Sequence, residues 1–226
     1  MKLVWDQIGE RLYETGVEQA AIYPMAGTTY GIGEAWNGLT AITESPSGAE
    51  PSPLYANDKK YVELMSTEEF GGTIEAYTYP DGFAECNGEK TVVKGLRISQ
   101  QTRKPFGLVY KSLIGNDTEG TKYGYKLHIV YNARVSPSEK SNNTVNDSPE
   151  AATMSWTFTT TPVEVAGFDP TSHLIIDSTD ADSAKLKALE AILYGSEAEE
   201  PRLPLPDEVA TVLDEAASKP EEEEVG

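Results

Sequence analysis

The 226-residue sequence predicts a mainly β fold with one flanking α-helix, on three observations. First, Tyr123, Tyr125, Leu127, Ile129, Tyr131, Ala133 and Val135 alternate with Gly124, Lys126, His128, Val130, Asn132 and Arg134. Only Val130 breaks the polar series, and period two over so long a run marks a strand with one buried face. Second, Met154, Trp156 and Phe158 alternate with Thr153, Ser155, Thr157 and Thr159. Third, turn chemistry separates the apolar runs at Pro80-Asp81-Gly82, Asn87-Gly88 and Asn116-Asp117 with Gly120.

Taken in order, residues 1–30 carry few periodic cues and read as an N-terminal arm. Weaker strand candidates follow at Ala35–Thr43, Lys60–Met65, Thr73–Tyr79, Thr91–Ser99 and Phe106–Ile114. Glu44 to Pro53 is rich in Pro, Ser and Gly and reads as a long irregular loop, as does the polar stretch Ser136–Glu150 with Pro137 and Pro149. Ser66-Thr67-Glu68-Glu69 has capping-box spacing, which predicts a one-turn helix stopped by Gly71-Gly72. A stronger helix spans about 183–194: Asp182 or Ser183 caps it, Leu186, Leu189, Ile192 and Leu193 share a face, and Gly195 ends it. From Ser196 to Gly226 there are eleven acidic and two basic residues, with Pro201, Pro204, Pro206 and Pro220. Such a segment buries little apolar surface and is expected to be mobile, apart from a short helix at Asp207–Ala217 with Val209, Val212 and Leu213 on one face. The expected organisation is therefore an arm at 1–30, a β domain at 31–195 and an acidic tail at 196–226. No internal repeat of 20–50 residues is found.

Composition narrows the function. Lys plus Arg total 18 against 37 Asp plus Glu, a net charge of -19. That opposes a DNA-binding surface, which works by replacing phosphate counterions with cations, and it opposes binding to an anionic membrane. A single cysteine, Cys86, leaves no intrachain disulfide framework and no cysteine-based zinc site. The two histidines, His128 and His173, are few for a His-based metal or acid–base centre. No run approaches the length of a membrane span, and the mixed N-terminus lacks the apolar run of a signal peptide, so synthesis in the cytosol without export is expected.

The search for catalytic chemistry assigns no catalytic, cofactor or metal residue. Gly31-Ile32-Gly33 lacks the third glycine and the following βαβ pattern of a dinucleotide fingerprint. Walker and Gly-x-Ser-x-Gly motifs are absent from the sequence. His128 reads as a surface or interface strand residue, and His173 as part of a loop or cap. Glu85 beside Cys86 disfavours the thiolate. Glu68 and Glu69 suit capping, and Asp117 and Glu119 suit a solvated turn without EF-hand spacing. A carboxylate pair for sugar hydrolysis is not excluded by counting.

Several stretches together resemble one family. They are Tyr13–Val17, Ala35–Thr40, Glu44–Pro51 running on to Leu54–Ala56, Glu68–Gly71, Ile74–Pro80 and Asn146–Ala151. In this order they are similar to the major tail tube protein of long-tailed, non-contractile bacteriophages. The likeness covers Tyr13 to Val165, is most specific from Trp36 to Glu85, and does not extend to the acidic tail. It implies a structural protein without enzymatic activity: a tail-tube-type β-sandwich whose inner sheet joins a ring-wide β-barrel of six subunits. It also implies stacked rings in the virion tail, end contacts with terminator, tape-measure and distal tail proteins, and double-stranded DNA passing through the lumen without tight binding. The loops and arm are then the expected contacts, with Glu44, Pro46, Ser47, Gly48, Glu50, Pro51, Pro53, Pro137, Glu139 and Pro149 as interface candidates. Lumen-facing strand positions are expected to carry an excess of Asp and Glu. Two alternatives stay open from the residues: a carbohydrate-binding or glycosidase-like β-sandwich with an exposed aromatic platform, and a capsid-decoration or adhesin-like module.

Overall fold

The computed structural model describes residues 2–145 and 151–214. In chain order its strands are β1 (Tyr13–Ala26), β2 (Thr29–Tyr30), β3 (Glu34–Ala35), β4 (Leu39–Glu44), β5 (Pro51–Ala56), β6 (Lys59–Met65) and β7 (Gly71–Ala76), then β8 (Lys90–Val93), β9 (Leu96–Ile98), β10 (Phe106–Asn116), β11 (Gly120–Val135), β12 (Met154–Thr159), β13 (Val163–Val165), β14 (Phe168–Thr171) and β15 (His173–Asp177). The helices are α1 (Phe83–Cys86), α2 (Ser183–Tyr194) and α3 (Pro206–Asp214).

One antiparallel sheet runs β1-β10-β11-β15. At its far end, β11 leaves β15 and pairs instead with β12, through Arg134 with Thr159 and Val135 with Phe158. This starts a second sheet, β12-β7-β4. The two sheets close over a core containing Ile22, Trp36, Ile74, Phe106, Leu108, Val130, Trp156 and Phe158, with Phe83 and Cys86 of α1 packed among them. Trp36, Phe83 and Trp156 meet at ring-centroid distances of 4.5–5.7 Å, in the tilted and edge-on geometries that aromatic quadrupoles favour. The other face of the first sheet carries a second core: Tyr23, Leu127, Ile129 and Tyr131 lie under Leu186, Leu189 and Leu193 of α2, and Leu203 and Val209 close it. The first sheet is thus covered on both faces, which is why β10 is buried along most of its length.

A bulge makes this arrangement possible. Between the pairs Leu108–Val130 and Phe106–Ala133, β11 holds one extra residue, and Asn132 has φ 49°. Unbroken alternation would put Tyr131 and Ala133 on one face. Instead Leu127, Ile129 and Tyr131 face the helices, while Val130, Ala133 and Val135 face the sandwich. The one apolar interruption in the alternating series, Val130, therefore belongs to the other core.

Several expectations need correction. Residues 1–30 do not form an irregular arm: Tyr13–Ala26 is β1, paired along β10. Its period is hidden by two register shifts, at Thr15/Glu18 and Glu18/Ala21, where Gly16 and Gln19 have φ 68° and 50°. Residues 66–70 are not helical. Ser47 and Glu69 exchange two backbone hydrogen bonds of 2.9 and 2.7 Å, and a single turn offers too few internal bonds to offset its nucleation cost. Glu44–Pro53 is irregular only in part, since Pro51 opens β5. Ala35–Thr43 divides into β3 and β4, and Thr91–Ser99 is the hairpin β8–β9.

The segment after Ser196 is also docked as far as it is described. Leu203, Pro204, Pro206 and Val209 are buried, and the Tyr131 hydroxyl donates to the Pro204 carbonyl at 2.9 Å. Gly107 on β10 gives Leu203 its place: a Cβ there would come within 2.1 Å of the Leu203 side chain. The acidic run Glu221–Glu224 lies outside the described residues.

α2 is tied to the sheet by a buried cation. Lys111 Nζ is 2.6 Å from Glu190 Oε1 and lies over the Tyr125 ring at 4.2 Å, while the Tyr125 hydroxyl donates to the same carboxylate at 2.7 Å. At its N-terminus the Asp182 carboxylate accepts from the backbone N–H groups of Ala184 and Lys185.

Candidate functional site

Most large apolar side chains left on the surface sit on three segments that project from the two cores. The stretch before β1 exposes Leu3, Val4, Trp5, Ile8 and Leu12. The β8–β9 hairpin exposes Val92, Val93, Leu96 and Ile98. The β5–β6 hairpin exposes Leu54, Tyr55, Tyr61, Val62, Leu64 and Met65.

The β5–β6 hairpin is built to stand alone locally but not to end there. Its two-residue turn, Asn57-Asp58, has φ 51° and 57°, the mirror-image turn whose twist matches that of paired strands. The pairs Ser52–Leu64 and Leu54–Val62 put three apolar residues on one face, while Pro51 pairs with Met65 and Pro53 with Glu63 on the other. No third strand joins it among the described residues, and every residue from Pro51 to Met65 is exposed. A bare two-stranded ribbon is marginal in water, so apolar groups on both faces specify a covering surface from elsewhere.

The first sheet is open at both ends. The edge of β1 turned away from β10 is unpaired along residues 13–19 among the described residues, because β3 pairs only with Ala21 and Ile22 and β2 only with Met25 and Ala26. At the opposite end β15 pairs, among the described residues, with β11 alone, and Ile175 is exposed. Two free antiparallel edges on one sheet are templates for further pairing.

The interface candidates fall around the hairpin base. Pro46, Ser47, Gly48 and Glu50 lie in the exposed link between β4 and β5, Pro51 and Pro53 are in β5, and Glu44 ends β4. Gly48 has φ 85°, and a Cβ there would meet the Thr67 carbonyl oxygen at 2.3 Å. Pro137 and Glu139 lie apart from these, on the rim of a cleft with Tyr79, Gln101 and Arg103. Pro149 lies outside the described residues. The candidates taken from the sequence for this region thus lie at the base of the hairpin, whereas the exposed apolar side chains lie along its arms. The available signal was the Lys60–Met65 strand preceded by Asn57-Asp58, a turn pair between two short apolar runs.

Gly31 and Gly33 sit between β2 and β3, where the Gly33 N–H donates to the Pro201 carbonyl at 2.9 Å, so they serve packing. Cys86 is fully buried, and burial above all pushes its thiol up to about 12. Trp36 and Trp156 are both in the sandwich core, so neither contributes to an exposed aromatic platform.

The histidines depart from expectation. His128 is buried, not on the surface, and His173 opens β15 beside it. His128 Nδ1 lies 3.1 Å from His173 Nε2 and 3.3 Å from Glu44 Oε1. His128 Nε2 is 2.9 Å from Ser112 Oγ, and the Tyr110 hydroxyl donates to Glu44 Oε1 at 2.7 Å. Tyr110 stacks on His128, with centroids 4.5 Å and planes 3° apart, and Phe70 stacks on His173 at 4.2 Å. Desolvation lowers both imidazoles below their ordinary value, His173 to about 4, against the partial opposition of Glu44. The alternating pattern placed His128 on a polar face, but nothing local shows that a second sheet covers that face.

No family model matches the chain, and no curated protein does. Among solved structures it is similar to the SPP1 tail tube, at 11% identity and a TM-score of 0.40, over 76% of this chain and 82% of that one. It is also similar to a chain of the sheath–tube complex of an extracellular contractile injection system in its extended state. There the identity is 12% and the TM-score 0.30, over 70% of this chain and 88% of that one. Among the described residues no helix is long and apolar enough to cross a membrane.

Proposed function

We propose that this chain is the structural subunit of a phage tail tube, assembling with copies of itself into stacked six-membered rings. The reading is carried by the β5–β6 hairpin, with apolar side chains on both faces and no partner strand among the described residues. The open edges of the first sheet extend it: β1 of one copy beside β15 of the next gives a heterologous contact, which closes into a ring at a suitable rotation. Closure removes every free edge, and hairpins reaching axially join one ring to another. The link Glu44–Pro53 acts as the hairpin's anchor, with its prolines limiting the entropy lost when it orders.

The charge supplies the reason DNA passes without sticking. A conduit wall lined by cations holds phosphate, whereas a wall with an excess of carboxylates repels it within a Debye length of about 8 Å. In this reading the subunit belongs to the virion tail, is made in the host cytoplasm, meets terminator, tape-measure and distal tail proteins at the tube ends, and performs no catalysis.

Electron microscopy of the purified full chain across a concentration series tests the proposal. Rings or tubes are the expected result. Stable single particles at the highest concentration, with saturable sugar binding, would replace this reading with the carbohydrate-binding one.

A further inference from the structure

Glu44, His128 and His173 arrive from three strands, β4, β11 and β15, and bring three Lewis-basic atoms close together. Those atoms lie within 4.8 Å of one another, with edges of 3.1 Å between the two ring nitrogens and 3.3 Å from His128 to the carboxylate. Ligand atoms bonded at about 2.0–2.1 Å around a tetrahedral ion stand roughly 3.3 Å apart, so both edges are already close to a coordination edge. The remaining edge closes by rotation of Glu44, whose side chain is 36% exposed at the end of its strand.

We propose that Glu44, His128 and His173 bind one divalent transition-metal ion of the zinc class, with water completing its coordination on the exposed Glu44 side. Two imidazoles and one carboxylate favour such an ion over Mg²⁺ or Ca²⁺, which prefer all-oxygen sets. The surroundings are those of a held site. Ser112 Oγ engages the far nitrogen of His128, Tyr110 and Phe70 clamp the two ring planes, and the Tyr110 hydroxyl orients the carboxylate. Because β4 belongs to one sheet and β11 and β15 to the other, the ion fastens the two sheets at this mouth of the sandwich. This inference stands independently of the tube reading, since the ligands all come from one chain.

The test uses the full chain after chelator treatment, titrated with Zn²⁺, Co²⁺ and Mg²⁺ by calorimetry, thermal melting and visible absorption. The expected result is one saturable Zn²⁺ per chain, a melting temperature raised by Zn²⁺ but not by Mg²⁺, and Co²⁺ ligand-field bands of a low-coordinate site. Glu44→Gln and His173→Gln should each abolish the Zn²⁺-dependent rise in melting temperature. Ser112→Ala keeps all three ligands and should weaken Zn²⁺ binding by about 10–100-fold, so it serves even where a ligand variant fails to fold. Absence of saturable Zn²⁺ binding, or equal binding in wild type and all three variants, overturns the proposal. The second outcome would mean only diffuse attraction to the 37 acidic side chains.

Discussion

Replacing Tyr61 by Ser separates assembly from folding. Tyr61 is 78% exposed within the subunit. A tyrosine presents about 200 Å² of surface to burial, so roughly 150 Å² remains for a neighbour to cover. At about 25 cal/mol per Å², that surface is worth up to ~4 kcal/mol in a complete contact, and anchor residues in measured interfaces lose at least about 2 kcal/mol on truncation. Since 1.4 kcal/mol is a factor of ten, the concentration needed for assembly should rise by at least about 30-fold. Within the subunit nothing of comparable size is lost, because the hairpin pairs with no third strand among the described residues, so folding stability should change by no more than about 0.5 kcal/mol. Sedimentation velocity over a concentration series reads the first quantity, and a circular dichroism melt reads the second. Tubes forming at the wild-type concentration would refute the role given to the hairpin, as would a large fall in melting temperature with assembly intact.

Four further outcomes follow from the same geometry. Deleting residues 46–51 should leave a subunit that folds, by its melt, yet polymerises poorly, by electron microscopy; normal tubes would remove this link from the interface. Gly107→Ala should push Leu203 off β10 and cost about 1–3 kcal/mol by overpacking, read by urea denaturation, with faster proteolysis after Ser196. Glu190→Ala leaves the buried Lys111 ammonium without its carboxylate and should cost about 3 kcal/mol, whereas replacing both residues by apolar ones should cost less. The backbone N–H groups of Lys185 and Ala184 hold the Asp182 carboxyl below the usual carboxylate range. Its contribution is complete above the unfolded-state value and is lost as pH falls through the folded one. The difference in melting temperature between wild type and Asp182→Ala should therefore shrink as pH is lowered below about 4.

The sequence by itself determined the β class, the strands around residues 123–135 and 154–158, and the helix at 183–194 with its cap narrowed to Asp182 or Ser183, because period, turn residues and capping are local properties of the chain. It also determined the acidity, which is a sum over residues whatever the fold. Tertiary structure decided the rest. The bulge at Asn132 divided one alternating strand between two cores, and the two register shifts in β1 concealed a long strand at the border of the first sheet inside what reads as an arm. Pairing with Ser47 overrode the helix signal at Ser66–Glu69, and the groove above Gly107 captured a segment whose composition alone favours disorder. The meeting of Glu44, His128 and His173 was decided last and least visibly, since it depends on which strands lie across from one another. Contacts between residues distant along the chain are fixed by strand order and register, and neither is written in any local window of sequence.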